Sequence, residues 1–308
     1  MTSKKREKRP PRYGVLLTIA YDGTDFRGYQ RQTPDLRTVQ AVVEEALQDF
    51  DPTASALRAA SRTDAGVHAL AQKAAFTTER AIPPIAYLKE LERRLPPDVA
   101  IREAESCVPN YAPRFDARYK IYHYRVRVGP TRDPLRDRYH YHLHGAHFRP
   151  GARSDECAIA AALNLEALEE AARLFVGRHD FRAFRDTGDR RENTIREMSR
   201  VAIQTDREYP DALRIIVEGD AFMKQMVRIM VGTLLEVARE KHPPSWISEL
   251  LCADATRSDA GPTAPPEGLF LAHTELGRQA HEKAEKESRA EEEPVRAPED
   301  GQQSEADA

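Results

Sequence analysis

Cysteine is scarce in this 308-residue chain, and the three present, Cys107, Cys157 and Cys252, are widely spaced. An odd number with no C-x-x-C and no neighbouring histidine pair argues against a disulfide framework and a zinc site, and fits a reducing cytosol. Long apolar runs are missing as well: none approaches the ~18 residues of a membrane span. With 40% hydrophobic and 31% charged residues, the composition reads as that of a soluble protein with a sizeable core. The N-terminus is polar and basic, so no secretory leader is expected. Net charge is small too, at -3, so any claim of nucleic-acid binding must rest on local patches.

That small total hides an asymmetry. Residues 1–12 carry six Lys or Arg against one Glu, while residues 277–308 carry ten Asp or Glu against five Lys or Arg. Neither stretch has apolar periodicity, and both are expected to be disordered, one a basic arm and the other an acidic tail.

Between them, YGVLLTIA (13–20) is a β-rich run that ends at the turn signal Tyr21-Asp22-Gly23. Apolar residues from Val39 to Phe50 recur at helical spacing behind Thr38, a candidate cap. Residues 56–60 and 72–77 read as short strands, 85–95 as a helix and 99–104 as a strand. The order is β-α-β-β-α-β, the split ferredoxin-like pattern. After Val108-Pro109-Asn110, strands at 119–128, 194–204, 213–218 and 268–274 and helices at 165–176 and 222–238 repeat that order with extra hairpin material. The expected fold is α+β: two ferredoxin-like halves, residues 13–108 and 109–276, whose antiparallel sheets meet at a central cleft.

The stretch AASRTDAGVHA (59–69) puts Arg62, Asp64 and His68 between two of these strands. Thr63, Asp64 and Gly66 are turn formers, so a plain turn is one reading and a catalytic carboxylate is the other. Residues 111–150 hold nine Lys or Arg against three Asp, interleaved with tyrosines and phenylalanines. Cations alternating with flat rings suit single-stranded nucleic acid, although a half-buried strand gives the same pattern. Within YKIYHYRVRV (119–128), Tyr122, Tyr124, Val126 and Val128 share one face, and His123, Arg125 and Arg127 share the other. In GRHDFRAFR (177–185), His179 and Asp180 are sequence neighbours and would not face each other, so a loop cap beside Phe181 is favoured over a catalytic dyad. Lys224 and Arg228, four residues apart on the expected helix, would share a face, either as surface cations or aimed at an anion in the cleft.

Taken in order, YDGTDFRGYQRQ with TVQ, SRTDAGVHA, KIYHY, GRHDFRAF, FMKQMVRIMVG and TAPPEGLFL resemble the TruA family of tRNA pseudouridine synthases, over residues 13–275. The resemblance implies the pseudouridine synthase fold and isomerisation of uridine to pseudouridine in the anticodon stem-loop of tRNA, just 3′ of the anticodon. It implies Asp64 as the catalytic carboxylate, Tyr122 packed on the target base, Arg228 as the cation beside the acid, and Arg62 helping to extrude the uridine. It further implies no cofactor, no metal and no membrane, a cytoplasmic location, and a homodimer whose tRNA spans both subunits. Ser61 stands where the family usually has glycine, and FMKQMVR departs conservatively from the usual helix motif.

Such chemistry needs the uridine flipped out of its stack, which an intercalating arginine and an aromatic platform would offset. The carboxylate could then attack C1′ or C6, or act through a glycal, and in each case Arg228 is expected to keep its pKa low. Asp64 or Tyr122 would take the proton left on C5. A glycoside or nucleoside hydrolase would also use such an acid, but paired with a second, and no comparably placed partner is visible. A non-catalytic RNA module would leave the acid unexplained, since it repels phosphate.

Overall fold

The computed structural model describes residues 12–144, 158–206 and 208–277. Nearly all of the basic arm and the acidic tail, Cys157 and the Phe148-Arg149 end of the cationic run lie outside the described residues.

Strand β1 (Tyr13–Tyr21) leads to helix α1 (Val39–Phe50), the two-residue β2 (Arg58–Ala59), β3 (His68–Thr78), α2 (Pro84–Glu92) and β4 (Val99–Cys107). A helical turn, α3 (Pro113–Asp116), precedes β5 (Ala117–Gly129) and β6 (Tyr141–His144). Then follow α4 (Ala158–Ala162), α5 (Leu165–Leu174), β7 (Gly177–Asp180), β8 (Ile195–Thr205), β9 (Ala212–Gly219), α6 (Met226–Ala238), α7 (Trp246–Leu250) and β10 (Leu269–Leu276). The strands form one sheet in the order β4-β1-β3-β10-β5-β9-β8-β7, with β2 on β3 and β6 on β5. Pairing is antiparallel except for β3 with β10 and β5 with β6. The architecture is therefore mixed α+β around a large, mostly antiparallel sheet. The strand groups assigned from sequence to two sheets run on as one, joined where β10 lies beside β3 with Phe270 opposite His68 and Leu271 opposite Ala69.

Alternation decides which face is buried. Leu17 and Ile19 on β1, Phe76 on β3, Tyr122 and Tyr124 on β5 and Val217 on β9 enter one core cluster. Val43 and Leu47 of α1, Tyr87 and Leu91 of α2, Leu168 of α5 and Met230 and Leu234 of α6 close it. On the other face, Leu16, Ala75, Cys107 and Tyr111 make a smaller cluster. Helix α6 is buried at every position except Arg228 and Glu236, which explains why its sequence is apolar nearly all round.

The periodicity of FMKQMVRIMVGTLLEVA predicts a helix from Phe222, but α6 begins at Met226. Gln225 adopts a left-handed φ of 58° and breaks the helix there. Lys224 stands before that break, so the helix face predicted to carry Lys224 and Arg228 together does not form. Thr38 does sit at the cap of α1, without a side-chain hydrogen bond to it.

Fully buried Asp51 at the end of α1 accepts hydrogen bonds from Thr78 Oγ1 on β3 (2.6 Å), Tyr87 OH on α2 (2.7 Å) and Thr53 Oγ1 (2.7 Å). Burial pushes its carboxyl upward, but these donors hold it below the usual carboxylate range. Asp51→Ala removes the acceptor shared by the Thr78, Tyr87 and Thr53 hydroxyls and should lower urea-unfolding stability by about 3 kcal/mol; a loss under ~0.5 kcal/mol would contradict that role. Because the folded pKa is depressed, this stabilisation is present above the unfolded value of ~3.9 and lost as pH falls through the folded value.

Candidate active site

The loop between β2 and β3 is fixed from several sides before Asp64 is reached. Gln72 Nε2 donates to Ser61 O (2.8 Å), Thr63 Oγ1 shares a hydrogen bond with Tyr21 OH (2.7 Å), and Tyr29 N donates to Thr63 O (3.1 Å). Beyond it, Val67 N donates to Asp64 O (3.2 Å) and Gly66 N to Phe26 O (3.2 Å). Gly28, at φ 98°, lies so close that a Cβ there would stand 2.9 Å from Thr63 O, and this close approach accounts for the glycine in YDGTDFRGYQ. With Ser61 and Thr63 buried and backbone-anchored, the intervening Arg62 projects outward.

Arg228, one of the two positions of α6 that are not buried, brings its Nη1 to 3.6 Å from Asp64 Oδ2. Its Nε donates to Ala264 O (2.7 Å), and Ala264 N donates back to Arg228 O (3.0 Å), so the guanidinium is anchored before it meets the acid. The side chains are 26% exposed for Asp64 and 13% for Arg228, so the carboxylate is approachable and its partner is largely sequestered. Tyr122 is buried and meets the Phe222 ring edge-on at 5.0 Å. Burial pushes its phenol up to about 12, opposed by a hydrogen bond with Ser61 and reinforced by Asp64.

Burial also raises the Asp64 carboxyl above the usual carboxylate range. This corrects the expectation of a low pKa: Arg228 and then Lys224 oppose the shift without overcoming desolvation. Asp186 pushes Asp64 further upward, so a second acid does act on the site. It is paired, however: Lys224 Nζ stands 2.8 Å from Asp186 Oδ1 and holds that carboxyl below its ordinary value. Sequence reasoning missed Asp186 because it sits in a turn, accepting from Gly188 N (3.0 Å), and such a residue reads as a turn former.

Asp64, Tyr122 and Arg228 are thus brought together, and Arg62 stands at the loop tip with no hydrogen bond or ion pair among the described residues. Asp180 accepts from Arg182 N (3.0 Å) and Thr194 Oγ1 (2.6 Å) as a loop cap, while His179 Nε2 lies 2.9 Å from Val176 O. A separate cavity of about 460 Å³, with walls that include His140, His142, His144 and Glu267, contains none of the four predicted site residues. Among the described residues, no group of three or more His, Cys, Asp or Glu could hold a metal ion, and no helix is long and apolar enough to cross a membrane. The arrangement offers a carboxylate in a partly dry notch, oriented by a guanidinium and flanked by a protonated phenol, which suits it to attack or to proton abstraction at an adjacent substrate.

A family model described as tRNA pseudouridine synthase matches residues 17–119 and 171–275, spans that include Asp64 and Arg228. The chain is 41% identical to tRNA pseudouridine synthase A of Geobacter sulfurreducens over 83% of its own length and 97% of that protein. It is 40% identical to the protein of the same name from Myxococcus xanthus, over 83% and 89% of the two chains. A third relative of that name, from Syntrophotalea carbinolica, is 40% identical over 83% of this chain and 94% of its own.

NMR titration of the Asp64 carboxyl should give a midpoint above the ~3.9 of a free aspartate. Arg228→Met should move it higher still, since it removes the largest opposing charge. A midpoint at or below ~3.9 would contradict the dominance of burial.

Proposed function

The chain belongs to the tRNA pseudouridine synthase family, and on that premise we propose that it isomerises uridine in the anticodon stem-loop of tRNA, just 3′ of the anticodon, with Asp64 as the catalytic carboxylate. The observation that carries this reading is the Asp64–Arg228 ion pair at 3.6 Å, which joins an acid and a cation far apart in the sequence. The target uridine is flipped from its stack, at a cost of a few kcal/mol that an inserted Arg62 and the ring of Tyr122 offset. Asp64 then acts at the sugar or at C6 of the ring, the N1–C1′ bond breaks, and C5 bonds to C1′ after the base turns. One proton leaves C5 and one arrives at N1, so the reaction balances without a cofactor.

Asp64 is the better acceptor of the C5 proton. With its pKa up near 12, Tyr122 enters the reaction already protonated and would have to release its own proton first. Its part is to pack on the base and donate a hydrogen bond. The hydrolase alternative needs a protonated second acid, and Asp186, held ionised by Lys224, is unsuited to that task.

On the same premise we read residues 13–108 and 109–276 as two ferredoxin-like halves, flanked by a basic arm at 1–12 and an acidic tail at 277–308. The observed order β1-α1-β2-β3-α2-β4 supports the first of these halves. The enzyme is read as a cytoplasmic homodimer with tRNA across both subunits, and sedimentation as a monomer at micromolar concentration would contradict the dimer.

Asp64→Asn keeps shape and removes charge. Tritium release from tRNA carrying 5-tritiated uridine should fall at least ~1,000-fold, equivalent to about 4 kcal/mol of barrier, with tRNA binding retained. Turnover near wild type would remove Asp64 from the mechanism. Wild-type turnover should also decline on acidification as pH passes below the raised Asp64 pKa, because the proton neutralises the reacting group.

A further inference from the structure

Several arginines beside the sheet have an acid to answer them: Arg127 has Asp137, Arg136 has Asp211, and Arg138 has Asp22 and Asp25. Arg125, Arg200 and Arg214, which share one face of β5, β8 and β9, have none. Arg125 of β5 stands directly opposite Arg214 of β9, and Arg200 of β8 is opposite Glu218. Among the described residues, none of these three guanidiniums makes a hydrogen bond or an ion pair. The Nε atoms of Arg125 and Arg214 are buried and have no partner among the described residues. Like charges directly across an antiparallel pair work against the fold, and buried donors left unpaired do so again.

The surroundings sharpen the point. Strand alternation places Arg125, Arg214 and His123 on one face, opposite Tyr122 and therefore away from the Asp64 site. The guanidinium of Arg125 lies over the Phe270 ring, 4.2 Å from its centroid. His123 is driven down to about 4 by burial and by Arg214, Arg125 and Arg200. The acids nearby are engaged elsewhere: Glu218 Oε1 accepts from Ser199 Oγ (2.9 Å), and Asp206 Oδ1 accepts from Glu208 N (2.9 Å) and Tyr209 N (3.2 Å).

We propose that this face of the sheet is a second RNA contact, in which the opposed guanidiniums of Arg125 and Arg214 close on one backbone phosphate while Arg200 flanks the strand. Adjacent strands lie about 4.8 Å apart, so the two half-buried side chains reach a single phosphate, whose oxygens accept from their terminal Nη groups. The half-buried imidazole of His123 offers a flat surface beside them. The contact rests on the tRNA-modifying reading above and takes an RNA segment away from the reacting uridine.

The test uses Arg214→Met in the full chain, with full-length tRNA as the probe. Removing one of two opposed cations should leave the melting temperature unchanged or higher. The variant should bind tRNA about 3- to 10-fold more weakly, with the slope of log Kd against log salt reduced by roughly one phosphate contact. Turnover at saturating tRNA should match wild type, and Arg214→Lys should recover part of the affinity. In the free variant the His123 titration midpoint should rise, which reports the lost cation independently of activity. Unchanged affinity and salt slope would overturn the proposal, as would a loss of affinity that follows a change in sedimentation, which marks the face as a contact between copies. A wild-type protein that binds tRNA through this face but converts no uridine would instead sink the reading of the Asp64 site alone.

Discussion

The structure depends on keeping one carboxylate charged in a place that disfavours charge. Taking an ion out of water costs several kcal/mol in a protein interior, and only a well-placed counter-ion recovers it. Asp64 has one in Arg228, at 3.6 Å, and the rest of the site reads as the apparatus that holds those two side chains in register. The loop is anchored through Ser61, Thr63 and Gly66, and α6 is packed so that Arg228 is one of its two unburied positions. The compensation is incomplete, since burial still leaves the acid above its ordinary range. An acid poised in this way is more basic than a free aspartate, which suits a group that attacks and later accepts a proton.

The charges around this pair form a graded set. Lys224 opposes the shift of Asp64 and also pairs with Asp186, so one ammonium acts on both acids. The left-handed Gln225 sets that ammonium apart from the helix that carries Arg228. Strand β5 has a double duty: its even-numbered tyrosines enter the core and the site, while its odd-numbered Arg125 stands on the other face, opposite Arg214 and beside a neutral His123. Both follow from the two-residue period of an extended chain.

Much of this was legible in the sequence wherever one period dominated. Alternation in YKIYHYRVRV assigned both faces of β5, the i, i+3, i+4 recurrence from Val39 placed α1, and the turn formers of SRTDAGVHA located the loop that carries Asp64. What stayed hidden depends on contacts between distant segments. The join of β3 to β10 rests on two registered residue pairs, too few to leave a pattern. The start of α6 was misplaced because apolar periodicity continues through FMKQ although Gln225 turns the backbone left-handed. The sign of the Asp64 shift was misjudged because a nearby cation is visible as a motif, whereas desolvation belongs to the assembled fold.

The most direct measurement is the structure of the protein bound to a substrate tRNA. The target uridine should be swung out of its stem with C1′ or C6 within about 3.5 Å of an Asp64 carboxylate oxygen and its ring against Tyr122. A uridine still stacked in the stem, or lodged in the cavity walled by His140, His142 and His144, would contradict the account.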